Sequence, residues 1–201
     1  MKKIIELFEK PIVYFPLILF VILFSFSYWI YLYFQSEMVI VHDAIGYEQA
    51  GKQIFEEGWR AYFKKGPQRE PFYLFSIAAS MKLGQIFGLH YHHFQKLFQI
   101  ILLFFAQLLL LNLLGRLRIK NLFKVCTVLY FGVSPAIVNA AFSLFSEIIA
   151  YPFVLLAIIL LIDSWHDIVE KNLKQIIIAA VLTGLCLLIL SFGKAVFRYI
   201  S

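Results

Sequence analysis

The sequence predicts an all-α, polytopic transmembrane helical bundle, and three observations carry that expectation. Of 201 residues, 62% are hydrophobic and only 15% charged, whereas a water-soluble domain carries roughly a quarter charged residues. Uncharged runs recur at 11–34, 97–114, 125–146, 148–162 and 175–193, and a helix needs ~20 apolar residues to span the hydrocarbon. Stretches such as "QIILLFFAQLLLLNLL" are apolar on every side, unlike barrel strands, which alternate in polarity over ~10 residues. The expected architecture is about five spans plus one half-inserted or broken helix. They form a single domain over 1–201, with a first external loop at 35–70.

The N-terminal "MKKIIELFEK" is basic at its tip and lacks a small-residue cleavage site, so it reads as an uncleaved anchor ahead of the span 11–34. "YWIYLYF" places an aromatic belt at the far end of that span. In the loop, Glu48, Gln49, Lys52, Gln53, Glu56 and Glu57 alternate with Tyr47, Ala50, Gly51, Ile54, Phe55 and Gly58. This is the pattern of a helix with one polar and one apolar stripe, starting at Asp43, ending near Gly58 and suited to lying along a membrane surface. Asp43 then stands where a helix N-cap is expected, worth about 1 kcal/mol. "KKGPQREP" is a basic, Gly/Pro-interrupted turn. Segment 71–89 holds Lys82 near its middle, and Gly84 and Gly88 weaken its second half. A Lys at the bilayer centre costs ~2.5–3.5 kcal/mol, so this is the half-inserted or broken helix.

Charge bias sets the topology. The linker "GRLRIKNLFK" carries Arg116, Arg118, Lys120 and Lys124 and no acid, which places it and the N-terminus in the cytoplasm. Residues 97–114 then run inward, and 35–70 and 90–96 are both external, so 71–89 starts and ends outside. The remaining runs follow as 125–145 outward, 146–164 inward and 175–193 outward. The expected location is a bacterial inner membrane. The net charge of +6 is clustered at helix ends, which suits topology and anionic lipid rather than nucleic acid. Cys126 and Cys186 lie inside apolar runs and suggest neither a disulfide nor a metal site.

On this topology, Asp43, Glu147 and Lys194 reach one external face. Glu147, in "FSLFSEIIAYPF", sits between two apolar runs joined by a very short turn; an ionisable group held so close to hydrocarbon is a functional candidate. Lys194 and Arg198, four residues apart on a continuing helix, share a face and suit an anionic head group or phosphate. Arg69 and Glu70 form a charged pair at the membrane edge, which a surface salt bridge also explains. "HYHH" (His90, His92, His93) has no good pairing on a helix face and no Cys or carboxylate follows it, so metal binding there is disfavoured.

The order of these features resembles the N-terminal half of a GT-C glycosyltransferase, the class that includes aminoarabinose transferases, core-lipopolysaccharide galacturonosyltransferases and protein O-mannosyltransferases. The matching succession is "HDAIGY" (Asp43, Tyr47), "REPFY" (Arg69, Pro71, Tyr73), "GVSPAIVNAAF" (Ser134, Pro135), "LFSEIIAYPFVLL" (Ser146, Glu147) and "TGLCLLILSFGK" (Gly184 to Lys194). The resemblance implies transfer of a sugar from a polyprenyl-phosphate donor to an external lipid, glycan or protein acceptor. It would make Asp43 the general base, or a ligand for a divalent metal in members that use one, and Glu147 a second acid at the same pocket. Arg69, Lys194 and Arg198 would hold the donor phosphate, with Tyr47 and Tyr73 lining the site.

GT-C enzymes usually continue through several more spans, so the resemblance also implies a second chain supplying them. A truncated frame, one piece of a split enzyme and a decayed copy all fit that departure. The rival readings are a non-catalytic membrane subunit that binds polyprenyl-phosphate lipid or a partner protein, and a small transporter. The transporter ranks third, because only Lys82 lies inside a hydrophobic segment.

Overall fold

Apolar runs become helices because a backbone in hydrocarbon must satisfy its own polar groups. The structure, a computed structural model, describes residues 6–64, 69–170 and 173–193, with side chains described over 6–64, 69–164 and 177–188. The helices are α1 Pro11–Gln35, α2 Asp43–Glu57, α3 Trp59–Lys64, α4 Pro71–Phe87, α5 Tyr91–Arg116, α6 Asn121–Val133, α7 Pro135–Ala141, α8 Glu147–Glu170 and α9 Leu173–Gly193. Among the described residues the sole β-type pairing is one isolated parallel bridge, Val39 to Ser143.

Three helical stretches are long and apolar enough to cross a membrane: Pro11–Gln35, Tyr91–Arg116 and Glu147–Ser164. They make this a membrane protein. A fourth span results if α6 and α7, bent by 47°, count as one. The bend has a local cause: Pro135 opens α7, has no N–H to donate, and disfavours helical geometry at Ser134 (ψ 121°). The expected fifth span, 175–193, lies within the helix α9, whose side chains are described over 177–188.

Two groups of contacts define the ends of the bundle. At one end, Asn121 N–H donates to the Glu9 carboxylate at 3.0 Å, and Arg116 on α5 pairs with Asp163 on α8. At the other, Lys96 of α5 donates to the carbonyls of Tyr33 and Ser36, where α1 ends. The N-terminal flank and the basic linker therefore share an end, as the charge bias predicts. Residues 36–47, 90–96 and 146–147 gather at the opposite one.

α4 differs from expectation in one respect. It is a single unbroken helix of 17 residues, closed by Gly88 in the left-handed region (φ 65°); the Gly84 position is instead where the chain returns, with Leu89 O and the Tyr91 backbone against its Cα. Its partners on α5 lie between Tyr91 and Ile101, so α4 accompanies only the first turns of α5. Both of its ends stay in one half of the bundle, and Lys82 is exposed.

α2 has the predicted bounds, ending where Gly58 takes φ 80°. Its apolar stripe is covered by protein, however. Ala44, Tyr47, Gly51 and Ile54 are buried, and a Cβ at Gly51 would come within 2.5 Å of Ile77 on α4. The helix packs on α4 rather than laying that stripe on lipid.

Buried side-chain hydrogen bonds tie the interior, where hydrophobicity gives helices no preference for each other over lipid. Trp29 Nε1 donates to Gly132 O at 2.7 Å, and Gln107 Nε2 to Ser25 Oγ at 3.0 Å. Large apolar side chains on α1, such as Phe15, Leu19, Phe20 and Leu23, face outward.

Candidate functional site

The site begins where α1 stops. Segment 36–42 runs beside 142–145, with Val39 N–H donating to Phe142 O at 3.0 Å, and ends at His42, whose φ of 50° is unusual for a residue with a side chain. That turn makes Asp43 the first residue of α2. The expected N-cap does not form. His42 occupies the cap position, and the cap has no side-chain hydrogen bond. The Asp43 carboxylate turns instead to Arg69, accepting from Nη2 at 3.1 Å.

Arg69 is placed by three features that do not involve Asp43. The Tyr62 hydroxyl accepts from its backbone N–H at 2.9 Å and donates to its carbonyl at 3.0 Å. The guanidinium lies 4.8 Å from the centre of the Tyr47 ring, a cation–π geometry. Gly46 leaves the space: a Cβ there would meet Nη2 at 2.7 Å. Burial opposes the guanidinium's charge, yet hydrogen bonding and attraction to Asp43, with Tyr47 adding, outweigh it and raise the Arg69 pKa.

Tyr47 connects α2 to the start of α8. Its hydroxyl is 3.1 Å from Ser146 Oγ, and its ring meets Tyr73 edge-to-face at 5.3 Å. The phenol is pushed up to about 12, first by burial and then by hydrogen bonding to the Glu70 carboxylate. It therefore stays protonated and serves as a neutral donor. Glu147, the first residue of α8, follows directly. Asp43, Tyr47 and Glu147 line one cavity of about 360 Å³ with Ala136, Ala140, Phe145 and Tyr151. Two acids 104 positions apart in sequence thus share a pocket, and the Asp43-bound Arg69 stands at its edge.

Behind the pocket runs a row of buried polar side chains. Gln99 Nε2 donates to the Tyr73 hydroxyl at 2.8 Å and to Ser143 O at 2.9 Å. Ser80 donates to Gln95 Oε1 at 2.9 Å, and Ser76 to Tyr73 O at 2.7 Å. Sequence reasoning missed these glutamines. Gln95 and Gln99 stand at i and i+4, one face of a helix, and that spacing was the available signal. Lys96 was missed as well: it is buried, with its charge on the carbonyls ending α1, a favourable place for a cation.

Of the predicted residues, Asp43, Glu147, Arg69, Tyr47 and Tyr73 are brought together. Lys194 and Arg198 lie outside the described residues. His90, His92 and His93 border a separate cavity of about 640 Å³ with Tyr33 and Lys96. No group of three or more His, Cys, Asp or Glu among the described residues is placed to hold a metal ion. The cation beside Asp43 is Arg69. No family model, curated protein or solved structure matches the chain.

Proposed function

We propose that this chain is the N-terminal module of a GT-C-type glycosyltransferase, moving a sugar from a polyprenyl phosphate to an acceptor hydroxyl outside a bacterial inner membrane. The observation that carries the reading is the shared cavity of Asp43 and Glu147, with a positioned arginine ion-paired to Asp43. Transfer needs a base on the acceptor and a cation on the departing phosphate. Asp43 takes the acceptor proton as the oxygen bonds to the anomeric carbon. The anomeric carbon–oxygen bond breaks, and its electron pair leaves on the lipid phosphate, which Arg69 stabilises. Glu147 orients the acceptor from the facing helix, and the neutral Tyr47 phenol holds Ser146 in place. Such a site belongs at the membrane edge, because the donor's tail stays in the bilayer.

The pairing of Asp43 with Arg69 also favours a second reading, a non-catalytic subunit in which the acid merely orients a phosphate-binding arginine. Asp43→Asn separates the two. In membranes containing the completed enzyme, transfer of labelled sugar should fall at least ~100-fold with insertion unchanged. Undiminished transfer would remove the catalytic assignment and leave the binding subunit.

A further inference from the structure

We infer that Arg69 is exchanged between two partners: Asp43 in the resting protein and a lipid-borne phosphate in the loaded one, so that arrival of the phosphate frees the Asp43 carboxylate. This rests on the proposed function and adds its order of events. The geometry is asymmetric. The Arg69 side chain is 21% exposed and Asp43 71%. Tyr62 holds the Arg69 backbone, and the guanidinium lies over the Tyr47 ring in the gap at Gly46, contacts that do not involve Asp43. The contact between them is one N–H on one oxygen, although a guanidinium carries five donors in a fork that matches phosphate. A phosphate group presents more charge and more acceptor oxygens than a carboxylate, and exposed ion pairs are weak. The shielded cation stays and the exposed acid moves. Until then, Arg69 occupies one oxygen of the Asp43 carboxylate.

The test is calorimetric titration of the purified full chain in detergent with farnesyl phosphate, with inorganic phosphate in a parallel arm. Asp43→Asn should tighten farnesyl phosphate about 2- to 5-fold, the worth of the competing pair. Arg69→Ala should weaken it about 10-fold or more, and the double variant should bind as weakly as Arg69→Ala alone. Arg69→Lys keeps the charge while losing the fork, and serves if the alanine variant does not fold; it too should bind more weakly than wild type. If Asp43→Asn binds no tighter while the Arg69 variants are weakened, the exchange is wrong and the phosphate site stands. If neither Arg69 variant weakens binding, the phosphate site and the proposed function both fall. Equal affinity for inorganic phosphate would overturn the lipid carrier.

Discussion

The two ends of α5 are built differently. At the Tyr91 end, buried Gln95, Lys96 and Gln99 reach α4, the end of α1 and the turn before α8 through specific hydrogen bonds. At the Arg116 end, Leu109 and Leu113 pack on Ile159 of α8, and the Arg116–Asp163 pair is more than a third exposed on both sides. Apolar packing holds two helices together without fixing much else; a buried hydrogen bond fixes a position, because its loss leaves a polar group stranded. The rigid end is the one that carries irregular backbone at 36–42 and 142–146 and the cavity with Asp43 and Glu147. A site that binds or reacts needs its groups held close to their productive geometry.

The contrast can be broken in graded steps. The largest expected effect is at Gly132, in the polar middle of the bundle, where an added Cβ would collide with Ser25 Oγ and lie 2.9 Å from Gln107 Nε2. Gly132→Ala should cost about 3 kcal/mol by overpacking and loss of that hydrogen bond. Gly115, at the Arg116 end, has open space around it, so Gly115→Ala should be neutral or stabilise by up to ~1 kcal/mol. Thermal unfolding in detergent compares the two, and equal effects would erase the distinction. Next in size, Gln99→Leu strips the Tyr73 hydroxyl and Ser143 carbonyl of a buried donor and should cost about 2 kcal/mol. The smallest is Asp163→Asn, worth less than ~1 kcal/mol and fading as salt is raised; a loss as large as that of Gln99→Leu would show that the Arg116 end is no looser than the other.

Much of this was legible in the sequence, for stated reasons. The uncharged runs marked α1, α5 and α8 because hydrocarbon length dictates helix length. The two stripes of α2 gave its bounds at Asp43 and Gly58. The charge bias put the N-terminal flank and the 115–124 linker at one end, where Glu9 and Asn121 now meet. What composition could not supply was the identity of the apolar neighbour. The stripe of α2 suits lipid and α4 equally, and only the close approach of Gly51 to Ile77 decides between them. The glutamines of α5 were counted within an uncharged run, although their spacing was visible. The Arg69–Asp43 pair has no local pattern: the partners are 26 positions apart, with the rest of α2 and all of α3 between them. For Asp43, position alone supports a helix cap and a functional acid equally; the cap position falls to His42, and the partner Asp43 takes comes from elsewhere in the fold.

The central claim is that Asp43 and Glu147 open into one cavity on the outer face of the membrane. The direct measurement is labelling of single-cysteine variants in intact cells with a membrane-impermeant maleimide, after Cys126 and Cys186 are replaced by alanine. Asp43→Cys and Glu147→Cys should both label from outside, and the doubly substituted chain should be bridged by a short bis-maleimide. Labelling of either position only after the membrane is opened, or two labelled positions that no short cross-linker joins, would contradict the account.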